Sequence, residues 1–508
     1  MIRLNKDKIL FWIDIELTHF GIAKSLKENY DCDLFAIFDT NPSIQKFFKS
    51  QKFVTFSKTW FYRDHILDVN KIPDMDYLIS IEQKYGIDLN QVIFGERYFY
   101  NFNKYYNFTQ TEILNIIEKE CKLFEEILDE INPDFLIIKV TDYHQNYLLH
   151  EICKSRKIKI LTYGRTRIGY RAMISENFDK IDESYEDHLF LSQNSNQRTF
   201  QELRSYIRGY SQQQIKFKQE TQTSKFQLIK AAINFLVFKC NNEYRKYFAN
   251  YGRTRFKVIY HESKNIFTRK HLEGFLTKNT IKTISEKINF IYFPLHLEPE
   301  SVLSISAPYY TDQIEVIRNI ARSIPIDYIL YVKDHPLSHT VGFRTKNFYQ
   351  EILKLPNVQL VHSSVSNDEL IQKCMMVVTI AGTGGMEAAF YGKPSIILAD
   401  VIYSDLPSVT LLDSIENFPK AIFLGLEKKV NINDLNNYVN YVEKNSFEFD
   451  YFKLQTDIGR MFYYGGFLMD VEISQEKMKQ FLNDQNDVFL KLALEHIKKI
   501  KKIKTIKN

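Results

Sequence analysis

The chain has 508 residues, 44% hydrophobic and 25% charged, which excludes wholesale disorder and a collagen-like repeat and leaves room for about three domains or two large ones. A formal net charge of +5 over so long a chain excludes a nucleic-acid-binding surface spread over the whole molecule. With 15% aromatic residues but only 17 glycines and 12 prolines, α/β or helical packing is favoured over turn-rich all-β architecture.

In chain order, Lys8 to Ile15 reads as an apolar strand, Gly21 to Asn29 as a helix and Asp33 to Phe38 as a second strand, a βαβ opening. Residues 111 to 131 carry Ile113, Ile116, Ile117, Leu123, Phe124 and Ile127 at helical spacing; Pro133 stops that helix, and a strand over Phe135 to Val140 follows. A polar loop, a helix through Cys153 and a strand over Ile158 to Thr162 add a second βα unit to the same first domain, residues 1–200. Residues 201–288, rich in Gln, Lys, Phe and Tyr, read as a helical connector. From 289 to 430 five strands (Asn289–Phe293, Tyr328–Val332, Val358–Val361, Met375–Ile380, Ser395–Leu398) alternate with helices, a second doubly wound parallel sheet. Residues 431–508 are expected to be helical with a basic tail.

Ligands of open α/β sheets bind beyond the carboxyl ends of the strands, and four successive strand ends of the second domain are rich in functional groups. After the fourth strand, Gly382, Gly384 and Gly385 allow close approach of a ligand, Thr383 adds a hydroxyl, and the following helix directs its N–H groups and positive dipole end outward, chemistry suited to a phosphate. Glu387, one turn on, is placed to reach a ribose. After the second strand come Lys333, Asp334, His335 and Pro336; the proline restricts His335 to an extended conformation in which it can donate to, or protonate, a phosphate oxygen. His362, Ser363 and Ser364 follow the third strand and offer further donors. After the first, Pro294 and Pro299 stiffen a segment in which His296, Glu298 and Glu300 alternate, so His296 and Glu300 are candidates to bind donor or acceptor and Glu298 to hold an acceptor hydroxyl or to act as base.

These motifs, in this order, resemble the nucleotide-binding half of GT-B glycosyltransferases, specifically bacterial capsule and surface-polysaccharide proteins that include Kdo transferases. The likeness covers about Asn289 to Asp400, and the first 200 residues by layout alone. It implies a GT-B-like α/β fold of two Rossmann-like domains facing a cleft, the second holding a nucleotide-sugar donor and the first a polysaccharide or lipid-linked acceptor. CMP-sugars such as CMP-Kdo are favoured, with Lys333, His335, Pro336, His362, Ser363, Ser364 and Gly382 to Glu387 around the nucleotide. Alternatives are a UDP-GlcNAc 2-epimerase-like isomerase, a CDP-polyol phosphotransferase and a non-catalytic scaffold.

Strand ends of the first domain supply candidates to face donor or acceptor across the cleft: Asp14, Glu16 and His19, then Asp142 and His144, then Arg165 and Arg167. Asp142 is the first choice as catalytic carboxylate; Arg165 and Arg167 are suited to clamping an anion. Two DxD matches, Asp31-Cys32-Asp33 and Asp74-Met75-Asp76, lie outside the nucleotide-binding unit, so no essential metal or other cofactor is expected. The scattered cysteines, Cys32, Cys121, Cys153, Cys240 and Cys374, suggest a reducing compartment, and no secretory leader is evident, so a cytoplasmic protein is expected. At the C-terminus Leu494, Ile497, Ile500, Ile503 and Ile506 with surrounding lysines read as a basic amphipathic helix suited to the inner membrane face.

Overall fold

The computed structural model describes residues 6–141, 143–191, 197–208, 225–239, 245–298, 302–335, 338, 344–463 and 472–507. Strand β1 (Asp7–Asp14) is buried on both faces, as its continuous apolar run dictates for a central parallel strand. Helix α1 (Thr18–Asn29) leads to β2 (Cys32–Asp39) and β3 (Lys58–Phe61). Helix α2 (Gln110–Ile131) opens with a reciprocal capping box between Thr109 and Glu112 and closes at Asn132 in the left-handed conformation, just before Pro133. Then come β4 (Phe135–Ile138), α3 (His144–Ser155), β5 (Lys159–Arg165) and β6 (Arg171–Ser175).

The connector contains α4 (Lys225–Asn234) and the long α5 (Arg255–Asn279). The second unit is β7 (Asn289–Pro294), α6 (Gln313–Ser323), β8 (Tyr328–Lys333), α7 (Lys346–Leu353), β9 (Val358–Val361), α8 (Asn367–Lys373), β10 (Met376–Thr379), α9 (Thr383–Phe390), β11 (Ser395–Ile397) and β12 (Val409–Leu411). Its strands pair in parallel in the order β12-β11-β10-β7-β8-β9, one strand more than the alternation predicts, with the topological switch between β7 and β10.

After α10 (Ile432–Lys444) the chain returns to the first unit. There β13 (Phe447–Glu448) pairs antiparallel with β6, and α11 (Tyr451–Phe462) and α12 (Asn486–Lys507) complete its core. The first sheet runs β13-β6-β5-β4-β1-β2-β3, with its own switch between β1 and β4. The two-unit, doubly wound α/β architecture is thus the one expected. The expected membrane-facing stripe of α12 is corrected: Ile497 and Ile500 are buried and the helix lies on α1, with the Phe489 ring over Gly21, whereas Leu494 points outward, 50% exposed. The side chain of Ile506 lies outside those described.

Candidate functional site

The turn after β10 sits at the switch of the second sheet. Gly382 occupies the N-cap position of α9, and no side chain caps the helix, so its first N–H groups retain their positive end. The glycines serve the chain's own packing. A Cβ on Gly382 would lie 2.8 Å from Thr379 Oγ1 and 3.2 Å from His296 Cε1, and one on Gly385 would lie 2.9 Å from the Tyr403 hydroxyl, whereas one on Gly384 would approach nothing nearer than Pro294 at 3.4 Å. His296, expected to bind donor or acceptor, is buried: its Nε2 accepts the Ala381 N–H at 3.3 Å and lies 3.1 Å from Thr379 Oγ1, so it pins the turn. Thr383 begins α9, and Glu387 is half-buried; burial raises its pKa, the Thr383 hydroxyl works against that, and the Asp368 charge adds to it.

Lys333 is also corrected. It is buried, its Nζ donating to the Val365 carbonyl at 2.7 Å and to Asn367 Oδ1 at 2.6 Å, and burial lowers its pKa to about 8. Asp334 accepts from Arg344 and Tyr349 and from the His335 backbone N–H at 2.8 Å; Arg344 also donates to the His296 carbonyl and pairs with Glu298 at 3.4 Å. Glu298, which also accepts from Gln313, is therefore engaged by the chain rather than presented as a base. Arg344, Gln313 and Tyr349 carry no motif, and only tertiary structure reveals that they tie these loops together. His335 is half-buried in the loop; Pro336 and Glu300 lie outside the described residues. His362 Nδ1 lies 2.7 Å from Ser364 Oγ, and Ser363 is exposed. His362 and Ser363 line a cavity of about 310 Å³ with Asp334, Tyr349 and the end of α5.

The first unit reaches this turn directly. Arg167, in the left-handed conformation (φ 62°), donates from Nη1 to the Ala381 carbonyl at 3.2 Å, and Lys180 pairs with Asp400. Beside it Asp179 accepts from Ser306 Oγ at 3.3 Å; burial raises its pKa against the opposing pull of Arg167. Arg165 does not join Arg167: it stacks on Tyr451 and Phe452 of α11. Asp142 lies outside the described residues.

His144 is corrected to a core residue. Its ring lies between Glu96 and Glu120, with no exposed side-chain surface; burial opposes its charge, but the two carboxylates outweigh burial and raise its pKa to about 10. His19, likewise expected at a ligand, is buried beneath α12, and burial lowers its pKa to about 4. Of the two DxD matches, Asp31 pairs with Lys6 and Asp74 caps the helix Met75–Tyr85; among the described residues no group of three His, Cys, Asp or Glu is placed to hold a metal.

A second cavity, of about 340 Å³, opens at the switch of the first sheet. Asp14 and Asp39, neighbours in the β1–β2 register, end their strands there. Lys139 Nζ lies 2.7 Å from Asp14 and 3.5 Å from Glu16, and Arg63 Nε donates to Asp39 at 2.8 Å. Burial would raise the Asp14 pKa, but Lys139 outweighs it and holds the carboxylate low. Tyr98 stacks on Tyr143 at 5.3 Å, and Gln145 donates to Asp39 at 3.2 Å. Asn146, also on the wall, is buried, and neither of its amide atoms has a hydrogen-bond partner among the described residues. Of this set the strand-end reading finds Asp14 and Glu16; Asp39 was visible as the same last-residue aspartate one strand on, whereas Arg63 and Asn146 lie in segments without a motif.

A family model described as "Capsule polysaccharide biosynthesis protein" matches residues 196–421, which span the connector and the second sheet. No curated protein matches the chain in sequence. Among solved structures the chain is similar to KpsC of Thermosulfurimonas dismutans, a beta Kdo 2,7 transferase, at 11% identity over 63% of this chain and 89% of that one, TM-score 0.27. It is similar to UDP-GlcNAc 2-epimerase of Methanocaldococcus jannaschii at 14% identity over 84% and 94%, TM-score 0.23. It is also similar to the N-terminal domain of Candida albicans trehalose-6-phosphate phosphatase at 13% identity over 90% and 97%, TM-score 0.32.

Proposed function

We propose that this chain, whose residues 196–421 match the capsule polysaccharide biosynthesis model, is a glycosyltransferase of capsule or surface-polysaccharide assembly. It takes a sugar from a nucleotide-activated donor, a CMP-sugar such as CMP-Kdo being favoured by the motif resemblance, and works at the cytoplasmic side of the cell. The observation that carries the reading is the uncapped N-terminus of α9 at the sheet switch, with the Arg167 guanidinium brought against the same turn. A helix N-terminus beside a cation suits the phosphate of a leaving nucleotide.

In the reaction an acceptor hydroxyl oxygen bonds the anomeric carbon while the bond from that carbon to the phosphate oxygen breaks. The nucleotide leaves with the electron pair, and the hydroxyl proton passes to a base. Asp179, at the boundary of the units and with a raised pKa, suits that role. With the charge of the leaving group met by Arg167 and the helix end, transfer needs no metal.

The first unit's cavity suits an uncharged acceptor sugar. Its two cations are matched by three carboxylates, and tyrosine faces and the Asn146 amide fit a sugar ring and its hydroxyls. The test is incubation of the purified chain with CMP-, UDP- and GDP-sugars and CDP-polyols, with saccharide acceptors, followed by mass spectrometry. A lengthened acceptor plus free nucleotide, formed equally in a chelator, supports the reading. An epimerised donor without acceptor, polyol phosphate transfer, or no product at all overturns it.

A further inference from the structure

The connector carries apolar helix faces that the described residues leave uncovered. On α4 and the turn that continues it, Phe226, Ile229, Ile233 and Val237 recur every three or four residues, each more than half exposed, Phe226 at 76%. On α5, Phe256 and Phe267 are 87% and 75% exposed, with Ile259, Tyr260 and Ile266 beside them; only Leu272 and Leu276 of its 25 residues are buried. The helix is nonetheless fixed. Arg255 donates to the Val237 carbonyl at 3.3 Å, Lys257 donates to the Tyr105 carbonyl at 2.9 Å, and Leu272 and Leu276 join the core of the second unit. A patch of this kind on a soluble surface marks an interaction site.

Charge identifies the partner. Residues 225–279 hold twelve Lys and Arg against three Glu, a surplus of nine in a chain whose total is +5, so the remainder of the molecule is net negative. Exposed apolar side chains at helical spacing amid a local excess of cations suit an anionic lipid surface. From this we infer that the connector is the molecule's membrane-docking element, with the apolar faces of α4 and α5 among the lipid headgroups and their lysines and arginines on lipid phosphates. The C-terminal helix, whose Ile497 and Ile500 are buried against the first unit, does not serve this purpose. The inference is independent of the transferase reading.

The test is flotation of the full chain with phosphatidylcholine vesicles and with vesicles of equal parts phosphatidylcholine and phosphatidylglycerol. The chain floats with the anionic vesicles and not with the neutral ones. Phe256→Ser with Phe267→Ser weakens that binding at least about tenfold, and so does Lys264→Glu with Lys270→Glu, which removes no apolar contact. Lys498→Ser with Lys501→Ser, on the C-terminal helix, binds as the parent does. Equal flotation with neutral vesicles, flotation with neither, or loss of binding only in the C-terminal variant overturns the inference. So does light scattering that shows copies of the chain joined through this face and separated by the phenylalanine substitutions.

Discussion

His144 stands where two elements cross, with Glu96 and Glu120 on its two ring nitrogens. Its pKa is about 10 in the fold against an ordinary 6.5, so the stabilisation is fully present below pH 6.5 and is lost as pH rises toward 10. Urea unfolding should therefore show stability falling over that window. His144→Gln should be less stable by about 3–5 kcal/mol at pH 6.5, since it strands two buried carboxylates, and its pH slope should be flatter. Parallel slopes for the two proteins would refute the assignment. A motif-based reading places this histidine at a ligand because it follows a strand; its carboxylate partners lie in a distant loop and on α2, where no spacing announces them.

The glycine-rich turn teaches a similar lesson. Its position was legible, but its reason was not, because Tyr403 lies beyond the next strand and His296 in the loop after β7. Gly385→Ala should cost about 1–3 kcal/mol in thermal or chemical unfolding through overpacking, whereas Gly384→Ala should be neutral or slightly stabilising. Equal effects would show that the turn does not pack as described. In the first unit's cavity, Asp39→Asn leaves Arg63 without its carboxylate. Ligand-observed NMR should then show glucuronate binding gained at least about tenfold relative to methyl glucoside; an unchanged ratio would mean that the paired charges do not set selectivity.

At the scale of elements, α12 is held to α1 by the Phe489 ring over Gly21, where an added Cβ would lie 2.3 Å from the ring. Gly21→Ala should lower stability by about 1–3 kcal/mol, with partial recovery in Gly21→Ala/Phe489→Leu. No recovery would point to a cost arising within α1 itself. His19 and His496 are buried here, and burial lowers each pKa to about 4 from 6.5, so stability is lost as pH falls from 6.5 toward 4, on the opposite side of neutrality from His144. The apolar repeat of α12 comes every third residue; at 3.6 residues per turn such a stripe winds around the helix, which is why Leu494 faces out while Ile500 faces in. The long buried strands were legible as apolar runs. The short strands β3 and β12 at sheet edges and β6 next to one were not, since three to five residues carry too little periodicity to stand out.

Across the whole molecule, the chain builds one unit, crosses to a second, and returns to finish the first with α11 and α12. Hydrophobic patterning identifies those helices but not the core they join, because either sheet has a face to cover. Charge is divided in the same manner, the connector strongly basic and the remainder net negative, which a total of +5 conceals. The units meet at Arg167, Lys180 and the turn of α9, so a donor nucleotide held at that turn lies against residues of both.

The most direct test is calorimetric titration of CMP, CDP, UDP and GDP into the parent chain and into Thr383→Asp. An acid in the first turn of α9 suits the helix end but repels a phosphate. We predict that a nucleotide, CMP foremost, binds the parent and binds the folded variant at least about tenfold more weakly. A parent that binds none of the four, or a variant that binds as well as the parent, would contradict the placement of the donor at this turn.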